Sequence, residues 1–261
     1  MKILVTVKEV ATVEDEFEID GTEIDERFLG ADLNEWDDYA IEEAVQLQEA
    51  GVADEVVTVT IGPEECEQTI RQALAKGADR ALRVWDDDLE GVSLLDVGAK
   101  TDILQAVVDR EEPDLVLTGV QSGDDSWGAT GVSLADAIGF QWAAVVNDLD
   151  LDGDTASVHR ELEGGVEELT DVSLPAVLTI QTGINEPRYA SLRGIRMAQR
   201  KDLDYLTLAD LGVDSSAVEG DLTLTDMYEP ETETDVTIFE GGADETAAAL
   251  AELLREKGVA P

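Results

Sequence analysis

The chain has 261 residues, 43% of them hydrophobic, and its 61 Asp and Glu against 17 Lys and Arg give a formal net charge of −44. The apolar fraction is enough for a core, and the length fits one large α/β domain or two small ones. The charge excludes bulk nucleic acid and an anionic membrane surface as partners, since both require a positive face.

The N-terminal MKILVTVKEV has no signal-peptide anatomy, and no stretch approaches the roughly 18 apolar residues of a membrane span, so a cytoplasmic protein without membrane insertion is expected. Residues 2–7 are β-branched and apolar and read as a buried strand. Residues 11–33 are acidic with scattered Gly and leave room for a short hairpin over 16–19 and 22–24. After Asn34, the residues Trp36, Tyr39, Ala40, Ala44 and Leu47 recur at helical spacing, with Glu42 and Glu43 on the other side, and Gly51 ends the helix. Residues 55–61 read as a second strand, Gly62-Pro63 as a turn, and 64–76 as a helix stopped by Gly77. Cys66, the only cysteine, excludes an intrachain disulfide and a multi-Cys zinc site. A strand over 78–84, a helix over 94–110 and a strand over 114–118 continue the alternation. Alternating strands and helices predict βαβ units and an α/β fold with a mainly parallel, Rossmann-like sheet flanked by helices. Ligands of such sheets bind at the carboxyl ends of strands. That directs attention to the segments after Val7, around residues 34–36, after Ile61 and after Thr118.

The last of these carries the most chemistry. Residues 119–131 read GVQSGDDSWGATG, with a helix expected over 132–138. Gly123, Gly128 and Gly131 let backbone approach a ligand closely. Ser126 and Thr130 supply hydroxyls, and a helix N-terminus suits phosphate. The Lys and the spacing of a Walker A loop are absent, and so is a GxGxxG fingerprint. A phosphate site and a plain Gly-rich turn both remain open on spacing alone. Asp124 and Asp125 oppose a phosphate directly beside them and are expected to face ribose, Mg²⁺ or solvent.

From Ala143 the pattern changes. Runs over 145–151, 155–161 and 166–169, separated by Asp-Gly and Gly-Gly, read as antiparallel hairpin strands, with the single histidine, His159, on a strand face. Residues 175–181 form another buried strand. Residues 185–201, NEPRYASLRGIRMAQRK, then hold five of the 17 bases and one acid around Leu192, Ile195 and Met197. A positive island around a few apolar side chains reads as a docking surface or as a solvated loop. Residues 203–211 are mixed, 212–234 polar and extended, 236–239 a short strand, and 244–257 an amphipathic helix. This gives an α/β domain over 1–211 and, over 212–261, an arm ending in a helix that is expected to grip a partner subunit or to fold back on its own domain.

Several of these segments resemble the beta subunit of electron transfer flavoprotein. The likeness runs from LVTVKEV through Asn34 and EEAVQL to GPEECEQTIRQALAKGADRA, DLVLTG and HRELEGGVEEL, and is most specific in LPAVLTI followed by NEPRYASLRGI. It implies an adenine-nucleotide-binding fold paired with an alpha subunit that holds most of a redox FAD at their interface. It implies AMP in the beta subunit, at Thr6, Asn34, Trp36, Ile61, Gly119, Gly123, Asp124, Ser126, Gly128, Ala129 and Thr130. It also implies that Arg188, Tyr189, Leu192, Ile195 and Arg196 dock flavin dehydrogenases such as those for acyl-CoA in fatty acid oxidation, with Leu192 as anchor. Electrons then pass to a membrane quinone oxidoreductase. Glu161 matches a glutamate near the alpha-subunit contact. A second class of the family binds a second FAD in place of AMP and bifurcates electrons. This chain departs from the familiar AMP-binding members at Glu35 and Trp36 and across SGDDSWGATG, so AMP and FAD both stay open. A stand-alone adenine-nucleotide-binding stress-type protein shares the sheet but would lack NEPRYASL and the arm. No residue reads as a covalent nucleophile or acid–base pair, so an electron carrier rather than an enzyme is expected. The acid excess self-repels at low salt and is screened at molar salt, where the Debye length falls to about 3 Å; a halophilic source is expected.

Overall fold

The computed structural model describes residues 1–90, 92, 94–230 and 236–259. It divides into two units, Met1–Asp226 and Met227–Pro261. The first contains β1 (Lys2–Thr6), β2 (Glu9–Val13), β3 (Ile19–Asp20), β4 (Glu23–Ile24), β5 (Leu29–Leu33), α1 (Glu35–Glu49), β6 (Glu55–Ile61), α2 (Glu67–Lys76), β7 (Arg80–Val84), α3 (Asp87–Glu90), α4 (Val97–Glu111) and β8 (Leu115–Gly119). It continues with α5 (Thr130–Ile138), β9 (Gln141–Asp152), β10 (Thr155–Leu162), β11 (Val166–Ser173), β12 (Ala176–Ile180), α6 (Leu192–Ala198), β13 (Leu203–Leu206) and α7 (Leu208–Leu211). The second unit holds α8 (Ala243–Glu256).

Nine strands form one sheet in the order β11-β10-β9-β12-β8-β1-β6-β7-β13. Every neighbouring pair from β9 to β13 in that order is parallel, whereas β9, β10 and β11 pair antiparallel. The central strands β12, β8, β1 and β6 are buried on both faces, in keeping with their continuous apolar runs. Side chains alternate between two cores. Ile3 and Val5 meet Ile41 and Ala44 of α1 and Ile70 and Ala73 of α2. Leu4 meets Ile103 and Val107 of α4 and Leu134 of α5. Each such fully buried Leu or Ile contributes about 1.5–3 kcal/mol relative to exposure.

Three local expectations change. The acidic segment before Asn34 holds more pairing than expected, because β2 and β5 form an antiparallel ribbon around the short β3–β4 pair. Glu42 and Glu43 do not face solvent; both are buried on α1, where a later loop covers them. Residues 236–239 are not a strand. Val236 and Ile238 are exposed, and alternation alone does not hold a strand for which no pairing neighbour exists among the described residues. The last residues of the polar stretch 212–234, from 231 onward, lie outside the described residues. Its earlier part packs in the first unit, where Val218 is buried and Asp96 Oδ2 accepts the Asp221 and Leu222 N–H groups. No helix among the described residues is long and apolar enough to cross a membrane.

Candidate functional site

From β1 the chain builds outward through β6 and β7, then crosses back to β8 on the other side of β1. The loops leaving β1 and β8 diverge, and that crevice is where an open α/β sheet takes its ligand. A cavity of about 500 Å³ opens there. Thr6, Asn34, Ile61, Gly119, Asp124, Gly128, Ala129 and Thr130 line it, as do Lys8, Asp37, Trp85, Lys100 and Trp127.

Trp36, Gly123 and Ser126 lie off the cavity wall. Trp36 Nε1 donates to Gln181 Oε1 at 3.0 Å. Its helix sits so close to β8 that a Cβ on Gly119 would come within 2.7 Å of Trp36 Cβ. Gly123 N–H donates to Asn34 Oδ1 at 3.2 Å, and Asn34 Nδ2 donates to the Gln121 carbonyl at 2.9 Å. Asn34 is 1% exposed and does not cap α1 with its side chain. It is a buried strut for the loop after β8. Ser126 adopts φ 53° and donates its hydroxyl to the Ser122 carbonyl at 3.2 Å.

The phosphate-suited feature is the start of α5. The helix begins at Thr130, earlier than its sequence indicated, after Ala129, which offers no side-chain cap. Its first amides are therefore unpaired within the helix and lie beside the cavity, where the helix dipole favours an anion. Gly131 serves packing rather than ligand approach. A Cβ there would meet Thr118 Oγ1 at 2.5 Å and Thr179 Cγ2 at 2.7 Å, so its absence seats α5 against β8 and β12. Gly128, at φ 60°, supplies the left-handed backbone that turns the loop into the helix.

Two lysines missed in the sequence meet the two aspartates. Lys8 Nζ lies 2.5 Å from Asp124 Oδ1 and 2.9 Å from Asp125 Oδ2. Lys100 Nζ lies 2.5 Å from Asp125 Oδ2, and Ser122 Oγ donates to Asp125 Oδ1 at 2.5 Å. Burial pushes the Asp125 carboxyl up, but hydrogen bonds from Lys100, Ser122 and Lys8 outweigh it and hold the group well below the usual carboxylate range. Asp124 is held down in the same way by Lys8. The aspartates thus face lysines, and the site has cations although it lacks a Walker A lysine. No local motif marks them: Lys8 sits just past a strand and Lys100 on α4.

Asp37 ties the two sides of the crevice together. Its Oδ2 accepts the Lys8 N–H at 2.7 Å and its Oδ1 the Gly119 N–H at 3.0 Å. Burial pushes it up to about 7 against those hydrogen bonds. Burial and the neighbouring Glu9 push the Cys66 thiol up to about 12, so this cavity-lining cysteine stays a thiol and is a poor nucleophile.

Comparison with known proteins decides the family. Residues 22–211 match the model of the electron transfer flavoprotein domain. The chain is 46% identical to the electron transfer flavoprotein subunit beta of Methylophilus methylotrophus, over 98% of each chain. It is 38% identical to the mitochondrial subunit beta of Arabidopsis thaliana, over 88% of this chain and 90% of that one. It is 36% identical to the Homo sapiens subunit beta, over 82% and 84%. The chain belongs to the electron transfer flavoprotein beta-subunit family. The family carries electrons with a flavin, and a beta subunit implies an alpha subunit beside it.

In this member of the family the basic stretch splits into two kinds of residue. Arg188 is an internal clamp. Its Nε donates to Glu42 Oε2 at 2.8 Å, its Nη2 to Glu42 Oε1 at 2.9 Å, and its Nη1 to Glu49 Oε1 at 2.7 Å. Burial pushes Glu42 up, yet the hydrogen bonds from Arg188 and Gln46 leave it below its ordinary range. Asn185 Nδ2 donates to Glu43 Oε2 at 3.0 Å, so Arg188 and Asn185 together cover Glu42 and Glu43. Lys201 is also internal, donating to the Leu74, Gly77 and Ala78 carbonyls at the C-terminus of α2. Among the described residues Arg193, Arg196 and Arg200 form no ion pair, and all three are exposed. Tyr189 is 98% and Leu192 78% exposed, with Ile195 beside them. Ser191 Oγ accepts the Gly194 N–H at 3.0 Å and caps α6, so Leu192 is presented from a defined turn. Glu161 lies apart from this loop, exposed on β10 opposite Glu167.

Arg188→Ala is expected to lower stability by about 2–4 kcal/mol, because it strands the buried Glu42 carboxylate, and to speed hydrogen exchange at residues 186–191. Arg188→Lys should recover little, since a single ammonium cannot reproduce the two-carboxylate fork. Unchanged exchange in both variants would remove the clamp role.

Proposed function

We propose that this chain is the nucleotide-holding subunit of a heterodimeric electron carrier. It pairs with an alpha subunit that binds most of an FAD, and its own cavity takes AMP. The observation that carries the nucleotide assignment is the convergence on one cavity of the uncapped α5 N-terminus, two lysines and two tryptophans. Amides and ammonium groups suit phosphate, and Trp85 and Trp127 offer flat faces to a base. The cavity is on the scale of a mononucleotide, which favours AMP over the second FAD of the bifurcating class. The flavin, when bound, supplies the redox chemistry, and the residues of this chain orient, shield and dock.

The arm that ends in α8 grips the alpha subunit; Leu250 of that helix and Val236 and Ile238 before it are exposed apolar groups in want of a cover. The loop around Leu192 docks flavin dehydrogenases such as those for acyl-CoA, and a membrane quinone oxidoreductase receives the electrons. Titrating the alpha subunit with this chain in the presence of FAD tests the pairing. A 1:1 complex with flavin absorbance is expected, and separate migration of the two chains would refute it.

The acid excess fits the cytoplasm of a cell with molar internal salt. The denaturation midpoint is expected to climb as KCl rises from about 0.1 M to molar levels, where the Debye length has shrunk to about 3 Å. Full stability at low KCl would contradict the salt reading.

A further inference from the structure

The acidic and basic residues on the cavity wall are Lys8, Glu9, Asp37, Lys100, Asp124 and Asp125. Both cations are matched by carboxylates within the protein itself. Lys8 bridges Asp124 and Asp125, and Lys100 reaches Asp125 at 2.5 Å. The aspartates are in turn fixed from behind. Asp124 Oδ1 accepts the Asp125 N–H at 2.7 Å, and Asp125 Oδ1 accepts the Ser122 hydroxyl and the Trp127 N–H at 3.3 Å. With Glu9 added, the carboxylates on the wall outnumber its two lysines, so any phosphate shares those lysines with the aspartates.

We propose that Asp124 and Asp125 act as a charge filter that sets how many phosphate charges the cavity admits. This rests on the nucleotide reading above and deepens it. A ligand carrying about two negative charges, such as a nucleoside monophosphate, is held by the unpaired amides of α5 together with Lys8 and Lys100. Each additional phosphate brings another charge to a wall where two carboxylates already occupy the lysines. Partly buried charges are little screened by salt, so the filter persists in a salty cytoplasm. A site built to grip a nucleoside triphosphate would leave its lysines unopposed; here both are opposed before any ligand arrives.

Equilibrium dialysis of labelled AMP, ADP and ATP against the full heterodimer, freed of bound nucleotide and kept in EDTA so that ATP retains its charge, reads the filter directly. The wild type is expected to bind AMP at least about 10-fold more tightly than ADP and at least about 100-fold more tightly than ATP, from the repulsion between like charges at close range. In the Asp124→Asn/Asp125→Asn double variant these ratios should fall to within about 3-fold, mainly through a gain in ADP and ATP binding. The single variant Asp124→Asn keeps the Asp125 bridge between the two lysines and so guards against loss of the fold; it should show intermediate ratios. Ratios identical in wild type and variants would overturn the filter while leaving the nucleotide site standing. ATP bound as tightly as AMP by the wild type would do the same. Failure of the wild type to bind any of the three removes the nucleotide reading, and the filter with it.

Discussion

Leu192→Ala is expected to slow reduction of the assembled flavoprotein by its partner dehydrogenase about 10- to 30-fold, the effect of losing roughly 2 kcal/mol of apolar burial at a docking centre. The side chain is 78% exposed in the isolated chain, so truncating it costs the fold almost nothing. The platform under it is rigid. Arg71 Nη1 donates to the Ala198 and Lys201 carbonyls at 2.8 and 3.0 Å, tying the end of α6 to α2. Gly194 packs directly on the Ala75 carbonyl, where a Cβ would not fit. Flavin content and pairing with the alpha subunit should therefore stay unchanged, which separates docking from folding. Neutralising Arg196, exposed and without an ion pair among the described residues, should instead give a smaller loss that fades with salt. Stopped-flow reduction with the variant at wild-type rates would sink the anchor assignment.

Asp37→Asn is expected to flatten the pH dependence of stability between about pH 4 and 7. Burial raises Asp37 to about 7 in the folded chain, while the unfolded chain titrates it in the ordinary carboxylate range, near 4. Between those values the native state binds the extra proton, so stability falls as pH rises and the loss is complete above the folded value. At about 1.4 kcal/mol per pH unit, the contribution that disappears is on the order of 4 kcal/mol. The Asn variant lacks this slope. It also turns an amide NH₂ toward either the Lys8 or the Gly119 N–H, leaving a buried donor unpaired at a cost of about 1–3 kcal/mol. The variant should thus be clearly weaker than wild type near pH 4.5 and approach or overtake it near pH 8. Urea unfolding of both proteins at the two pH values measures this, and parallel curves would show that Asp37 does not titrate as described.

The framework was legible because its signals are local. The strands over 2–7, 55–61 and 114–118 are short apolar runs between turn residues, and they became β1, β6 and β8 within a residue or two. The helix after Asn34 followed from apolar spacing. The position of the crevice between β1 and β8 followed from strand alternation, since a parallel sheet exposes its loops at one end. Whatever depended on distant partners stayed hidden. Glu42 and Glu43 looked like a solvated face because Arg188 and Asn185, which cover them, lie more than a hundred residues away. Lys8 and Lys100 carry no motif, so the aspartates of the loop after β8 were expected to face ribose, Mg²⁺ or solvent rather than lysines. The positive island was visible as composition, but composition could not separate Arg188 and Lys201, which are spent inside the protein, from Arg193, Arg196 and Arg200, which face outward. Gly131 was read as room for a ligand, although Thr118 and Thr179 need that room.

The pairing with an alpha subunit and the content of the cavity are tested together by one measurement. The two chains are co-expressed, the purified complex is denatured, and the released FAD and adenine nucleotide are counted per heterodimer. One FAD and one AMP are expected, the FAD shared with the alpha subunit and the AMP from the cavity between β1 and β8. Two FAD and no AMP would contradict the AMP assignment and select the bifurcating class, and no complex with the alpha subunit at all would contradict the carrier reading itself.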